Sequence, residues 1–185
     1  PEMKSSTQSL FVAVAVLANT LVLTSGLHAA EWSIQVAGNA FRTAPGPGEG
    51  GLQRDGTISW GDPGTVFSVY FHVDRPAELK LSINARTKAG RSTLATSVGE
   101  KRFSTVIEGT KLADRKIGQV RVAKAGYVRV DFKGLKRTAD IYAAIGSLRV
   151  SSDTAGLVVD YVKTNKGSMF YWGRRGPSVH LRYEV

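Results

Sequence analysis

Apolar and polar positions alternate along most of this chain with a period of two, the pattern of strands buried on one side only. Over residues 65–73, Phe67, Val69, Phe71 and Val73 share one face, and Ser68, Tyr70 and His72 take the other. Over residues 79–86, Leu79, Leu81, Ile83 and Ala85 point inward, while Lys80, Ser82, Asn84 and Arg86 point out. Asp74-Arg75-Pro76 between them is a turn, so these two strands are expected to pair antiparallel. Gly99-Glu100 joins strands at 93–98 and 101–107 as a two-residue hairpin. Residues 123–126 separate strands at 117–122 and 127–132, with Val128, Val130 and Phe132 inward and Tyr127, Arg129 and Asp131 outward. Further strands are read at 32–36, 141–150, 157–162, 168–171 and 179–183. The glycine- and proline-rich stretch 44–51 is expected to be an irregular loop. About ten short strands with turn signals every 8–12 residues predict an all-β antiparallel sandwich of jelly-roll type.

One segment departs from this pattern. Pro1 and Glu2 precede a methionine and are set aside. From Met3 the sequence reads as a secretory signal peptide: Lys4, a polar stretch, then an apolar run over residues 10–23 interrupted by Asn19 and Thr20. Ser25, Gly26, Ala29 and Ala30 supply the small residues of a cleavage site near Ala30 and Glu31. The run is shorter than the roughly 20 apolar residues a spanning helix needs. The expectation is therefore a leader at 1–30 and one β-sandwich domain at 31–185, secreted or periplasmic, with no membrane span once the leader is gone.

Charge and composition narrow the chemistry. The chain carries 25 Lys and Arg against 15 Asp and Glu. Lys4 and Glu2 fall in the leader, so the remainder keeps the net charge of +10. That balance favours acidic partners. A base-stacking platform needs aromatic residues interleaved with Lys and Arg along one face, and none is visible, so nucleic acid is not expected. With no cysteine, thiol catalysis, zinc–thiolate sites and disulfides are excluded. His72 and His180 stand far apart and in no metal-binding spacing. The acids Asp62, Asp131, Asp160 and Glu184 show no spacing that singles out a glycosidase pair.

Two segments are richer than a sandwich requires. Ser59-Trp60-Gly61-Asp62-Pro63-Gly64 places an aromatic and a carboxylate at a strand end. Residues 170–180 gather Phe170, Tyr171, Trp172, Arg174, Arg175 and His180 around two glycines and a proline. Sugars stack their C–H faces on aromatic rings and bind carboxylates and guanidinium groups through their hydroxyls. The candidate ligand-binding residues are therefore Trp60, Asp62, Asp160, Tyr161, Tyr171, Trp172, Arg174, Arg175 and His180. For Trp60 and Trp172 a core-plugging role is equally open. No catalytic residue is assigned.

The chain resembles an uncharacterised secreted family, a domain of unknown function. The resemblance rests on Ile58-Ser59-Trp60, the strand at 67–73 followed by Arg75-Pro76, Gly126-Tyr127-Val128-Arg129-Val130-Asp131, and above all Tyr171-Trp172-Gly173-Arg174-Arg175-Gly176-Pro177-Ser178-Val179-His180-Leu181. It implies a galactose-binding-like sandwich similar to carbohydrate-binding modules, and a structural calcium that such modules often hold. In that family a second module follows. This sequence stops just after the motif, as a fragment or a short standalone member, so nothing of that module's activity carries over. Together these readings point to a non-catalytic binding module for a carbohydrate or an anionic envelope polymer. The alternatives are a basic envelope interaction protein and a polysaccharide hydrolase.

Overall fold

The computed structural model describes residues 29–44 and 50–161. The predicted leader, the motif at 171–181 and the predicted strands at 168–171 and 179–183 lie outside them. Among the described residues there are twelve strands and no helix. The first sheet holds β1 (Ala30–Gln35), β3 (Gly50–Leu52), β4 (Ile58–Trp60), β6 (Ala77–Arg86), β9 (Ala113–Val122) and β11 (Ala143–Ser152). The second holds β2 (Ala40–Ala44), β5 (Val66–Val73), β7 (Arg91–Val98), β8 (Lys101–Glu108), β10 (Gly126–Arg137) and β12 (Val159–Asp160). All pairings are antiparallel. The fold is the expected jelly-roll sandwich.

The alternation places the core. Phe67, Val69, Phe71 and Val73 from β5 meet Leu79, Leu81, Ile83 and Ala85 from β6 across the sandwich, all buried. Each strand leaves its polar side chains on the outer face of its own sheet. Gly99 adopts a left-handed conformation (φ 55°) and closes the β7–β8 hairpin in the expected register.

Three expectations change. β5 and β6 do not pair, because the turn at 74–76 carries the chain from the second sheet to the first. β5 instead pairs with β10, and β6 with β11 and β9. The two strands flanking 123–126 do not form a hairpin either: the link crosses between sheets, placing β9 in the first and β10 in the second. The glycine-rich stretch is not wholly irregular: Ala44 ends β2, and Gly50 and Gly51 belong to β3.

Close approach of backbone to aromatic rings tightens the sandwich. The ring of Tyr142 lies against Gly134 on β10, where any Cβ would collide with it. The Ser92 hydroxyl donates to the Tyr142 carbonyl just beside it. β10 bulges between Gly134 and Lys136, which brings Lys136 onto the outer face beside Leu135, opposite Thr93.

Candidate ligand-binding face

The sequence-predicted residues do not converge. Trp60 is buried, 1% exposed, with its ring packed on Phe67 and Tyr142 at centroid distances of 5.2 and 6.4 Å. It is a core plug, which corrects the expectation of a sugar platform: no face of the ring reaches solvent. Asp62 holds the β4–β5 turn, its Oδ1 accepting hydrogen bonds from the backbone N–H groups of Gly64 and Thr65 at 2.7 and 3.0 Å. Tyr161 is half-buried against the core, and its hydroxyl donates to the Ser33 carbonyl at 3.4 Å, tying the end of the described chain to β1. Asp160 alone is exposed on a sheet face, paired in register with His72. Tyr171, Trp172, Arg174, Arg175 and His180 lie outside the described residues.

Asp160 leads to a cluster that the sequence left scattered. In β12–β5–β10, Asp160 stands opposite His72, and His72 opposite Tyr127. Directly opposed residues of an antiparallel pair project from the same face. The rings of His72 and Tyr127 meet edge to face, 5.2 Å between centroids. Tyr127 is 69% exposed, the most exposed of the large apolar and aromatic side chains among the described residues.

One step along the strands, Arg129 lies opposite Tyr70, with its guanidinium carbon 5.9 Å from the ring centroid. Phe41 of β2 meets the other side of Tyr70 at 5.8 Å, nearly perpendicular. A hydrogen-bond network fixes this row. Arg129 Nε donates to Asp131 Oδ1 at 2.7 Å, and the Ser68 hydroxyl donates to the same oxygen. Ser68 and Thr43 share a hydrogen bond of 2.6 Å. The bond to Asp131 raises the Arg129 pKa above its ordinary value. Ser68 points outward as its position predicts, yet it is fully buried because β2 covers it.

The result is a nearly flat strip in which Phe41, Tyr70, His72 and Tyr127 alternate with a fixed guanidinium and two carboxylates. It can offer ring faces to apolar C–H surfaces and charged hydrogen-bonding groups to hydroxyls. An open cavity of about 470 Å³ beside β3 and the Gly61 turn is lined by Gly50, Gly51, Gln53, Ser59 and Asp140. Trp60 borders it, but with its ring buried. The cavity therefore lacks a platform. Among the described residues no group of three or more His, Asp or Glu side chains could hold a metal ion. No helix among them is long and apolar enough to cross a membrane.

A family model described as a domain of unknown function, DUF5077, matches residues 34–155, from within β1 to beyond β11. The chain belongs to the DUF5077 family. The aromatic strip of this DUF5077 domain lies almost wholly inside the matched span, whereas the motif at 171–181 lies beyond it. No curated protein sequence matches the chain. Among solved structures, the chain is similar to the CBM35 of Cellvibrio japonicus Abf62 (TM-score 0.52, 16% identity, covering 75% of this chain and 100% of that one). It is similar to Xyl-CBM35, solved in complex with a glucuronic acid-containing disaccharide (0.51, 14% identity, 72% and 99%). A family two carbohydrate esterase from Cellvibrio japonicus also matches (0.50, 11% identity). This chain covers 36% of that esterase's length. At such identities these likenesses establish the fold alone.

Proposed function

We propose that this DUF5077 domain is the sugar-binding, non-catalytic part of an exported protein, and that the strip around β5 and β10 receives the sugar. The observation that carries this reading is Tyr127. Its ring stands largely in solvent, braced edge-on by His72, beside a Tyr70–Arg129–Asp131 set whose geometry is fixed by hydrogen bonds. A sandwich gains little stability from such an exposed ring, but a sugar gains a stacking surface. The fold's likeness to carbohydrate-binding modules supports the same class, and the predicted leader supports export.

Polysaccharide pull-down and calorimetry test it. Tyr127→Ala and Tyr70→Ala are each expected to weaken sugar binding by about tenfold or more, the loss of a stacking contact worth about 1–1.5 kcal/mol. Because Tyr127 is exposed, Tyr127→Ala should shift unfolding stability by no more than about 0.5 kcal/mol. Binding that survives both substitutions would move the site away from this strip.

A further inference from the structure

Beyond the aromatic strip, the same sheet face carries a second feature. Beyond Arg91, the outward side chains of β7 are small: Thr93, Ala95 and Ser97, half-buried. Their neighbours on either side are longer, apart from Ser104, which leaves the β8 wall low at its middle. Asp131, Lys133 and Lys136 of β10 stand opposite Ser97, Ala95 and Thr93. On the far side, Arg102, Ser104 and Val106 of β8 stand opposite the same three positions. Small residues between two taller rows make a trough along β7, about 13 Å long from Thr93 to Ser97 at the strand rise. At its upper end the trough opens into a groove of about 680 Å³ between Arg91, Val106, Leu135 and Lys136.

The walls are cationic and weakly neutralised. Among the described residues, Lys133 and Lys136 have no carboxylate within ion-pairing distance. Arg102 donates only to the carbonyls of Gly99 and Lys101. The ion pair between Arg91 and Glu108 is long, at 3.9 Å, with both side chains mostly exposed. Asp131, the acid on the β10 wall, is already taken by Arg129. Exposed cations without a carboxylate partner favour an anionic ligand. The floor offers hydroxyls from Thr93 and Ser97.

We infer that the trough over β7 takes an acidic polysaccharide chain, with carboxylate groups along the chain meeting Lys133, Lys136 and Arg102, continuing from the aromatic strip. This inference rests on the sugar-binding reading and names the class of sugar. Charge complementarity identifies the occupant: a linear polyanion with hydroxyls matches cationic walls and a hydroxyl-bearing floor.

The test uses the full chain with three probes: polygalacturonate, its fully methyl-esterified form, and single-stranded DNA. Two variants separate charge from shape, Lys133→Glu/Lys136→Glu and Ala95→Trp, each checked for unaltered thermal unfolding. The expected result is binding of polygalacturonate at least about tenfold tighter than of the ester, weakening with salt as surface ion contacts do. Both variants should lose that preference. Equal binding of acid and ester, sensitive to Tyr127→Ala but to neither trough variant, would overturn the trough and leave the sugar-binding reading standing. DNA binding as tight as polygalacturonate and lost in the same variants would overturn the assignment to a glycan. Binding of neither polysaccharide overturns the acidic-glycan assignment, and the sugar-binding reading then stands or falls on the pull-down with Tyr127→Ala.

Discussion

At the scale of single residues, two aromatic side chains exchange the roles that their neighbourhoods suggest. Trp60 ends a strand and precedes an Asp-Pro-Gly turn, a setting that suits a loop platform. Its ring instead fills the space between Phe67 and Tyr142. Its indole N–H is buried without a hydrogen-bond partner among the described residues. Trp60→Ala should therefore lower stability by about 3–5 kcal/mol, the range for removing a large core aromatic, measured by chemical denaturation. A loss below about 1 kcal/mol would show that the ring is not a core element. Tyr127, by contrast, sits in an ordinary alternating strand and emerges on the surface. Exposure depends on what packs above a residue, and its immediate sequence neighbours do not reveal that.

At the scale of elements, turns proved ambiguous in a definite way. Asp74-Arg75-Pro76 reverses the chain whether the flanking strands pair or separate into different sheets. What fixes this corner is a local network. Asp74 Oδ2 receives Arg75 at 2.7 Å, and Asp74 Oδ1 accepts the backbone N–H of Val158 at 2.9 Å, holding the segment that leads into β12. The hydrogen bond from Arg75, followed by that from Val158, lowers the Asp74 pKa below its ordinary 3.8. A depressed carboxylate contributes stability that is present above the unfolded value and lost as pH falls through the folded one. Asp74→Asn should thus be less stable than wild type near neutral pH, and the gap should close below about pH 3.8. Denaturation midpoints of the two proteins across pH 6 to 2.5, on the order of several points, check the sign. A gap that widens on acidification would contradict the assigned role. The β7–β8 hairpin shows the opposite case, because Gly99-Glu100 is too short to do anything but pair its flanking strands.

At the scale of the whole molecule, both sheets share one core, and long-range pairings such as β1 with β11 and β2 with β5 close it. The edges meet where the Phe103 ring of β8 lies on Gly118 of β9, a position with no room for a Cβ. One core implies one cooperative transition. Tryptophan fluorescence, to which the buried Trp60 contributes, and far-UV circular dichroism should give coincident unfolding midpoints. Two separated midpoints would mean that the sheets unfold independently.

Local patterning was enough to assign which side of each long strand faces the core, the antiparallel sandwich class, the β7–β8 hairpin, the basic character and the exclusion of thiol chemistry. Each follows from local alternation, turn length or composition, which operate over a few residues. Tyr70, His72, Tyr127, Arg129 and Asp131 were all legible as outward-facing. Only the tertiary structure decided that they form one strip, that Asp160 joins it, and that Trp60, Asp62 and Tyr161 serve the fold instead. The same holds for the trough, which exists because β7 runs between β10 and β8. The physical reason is that pairing between β5 and β10 joins residues some 60 positions apart. It is selected by burial of the whole core, so no short window of sequence carries it.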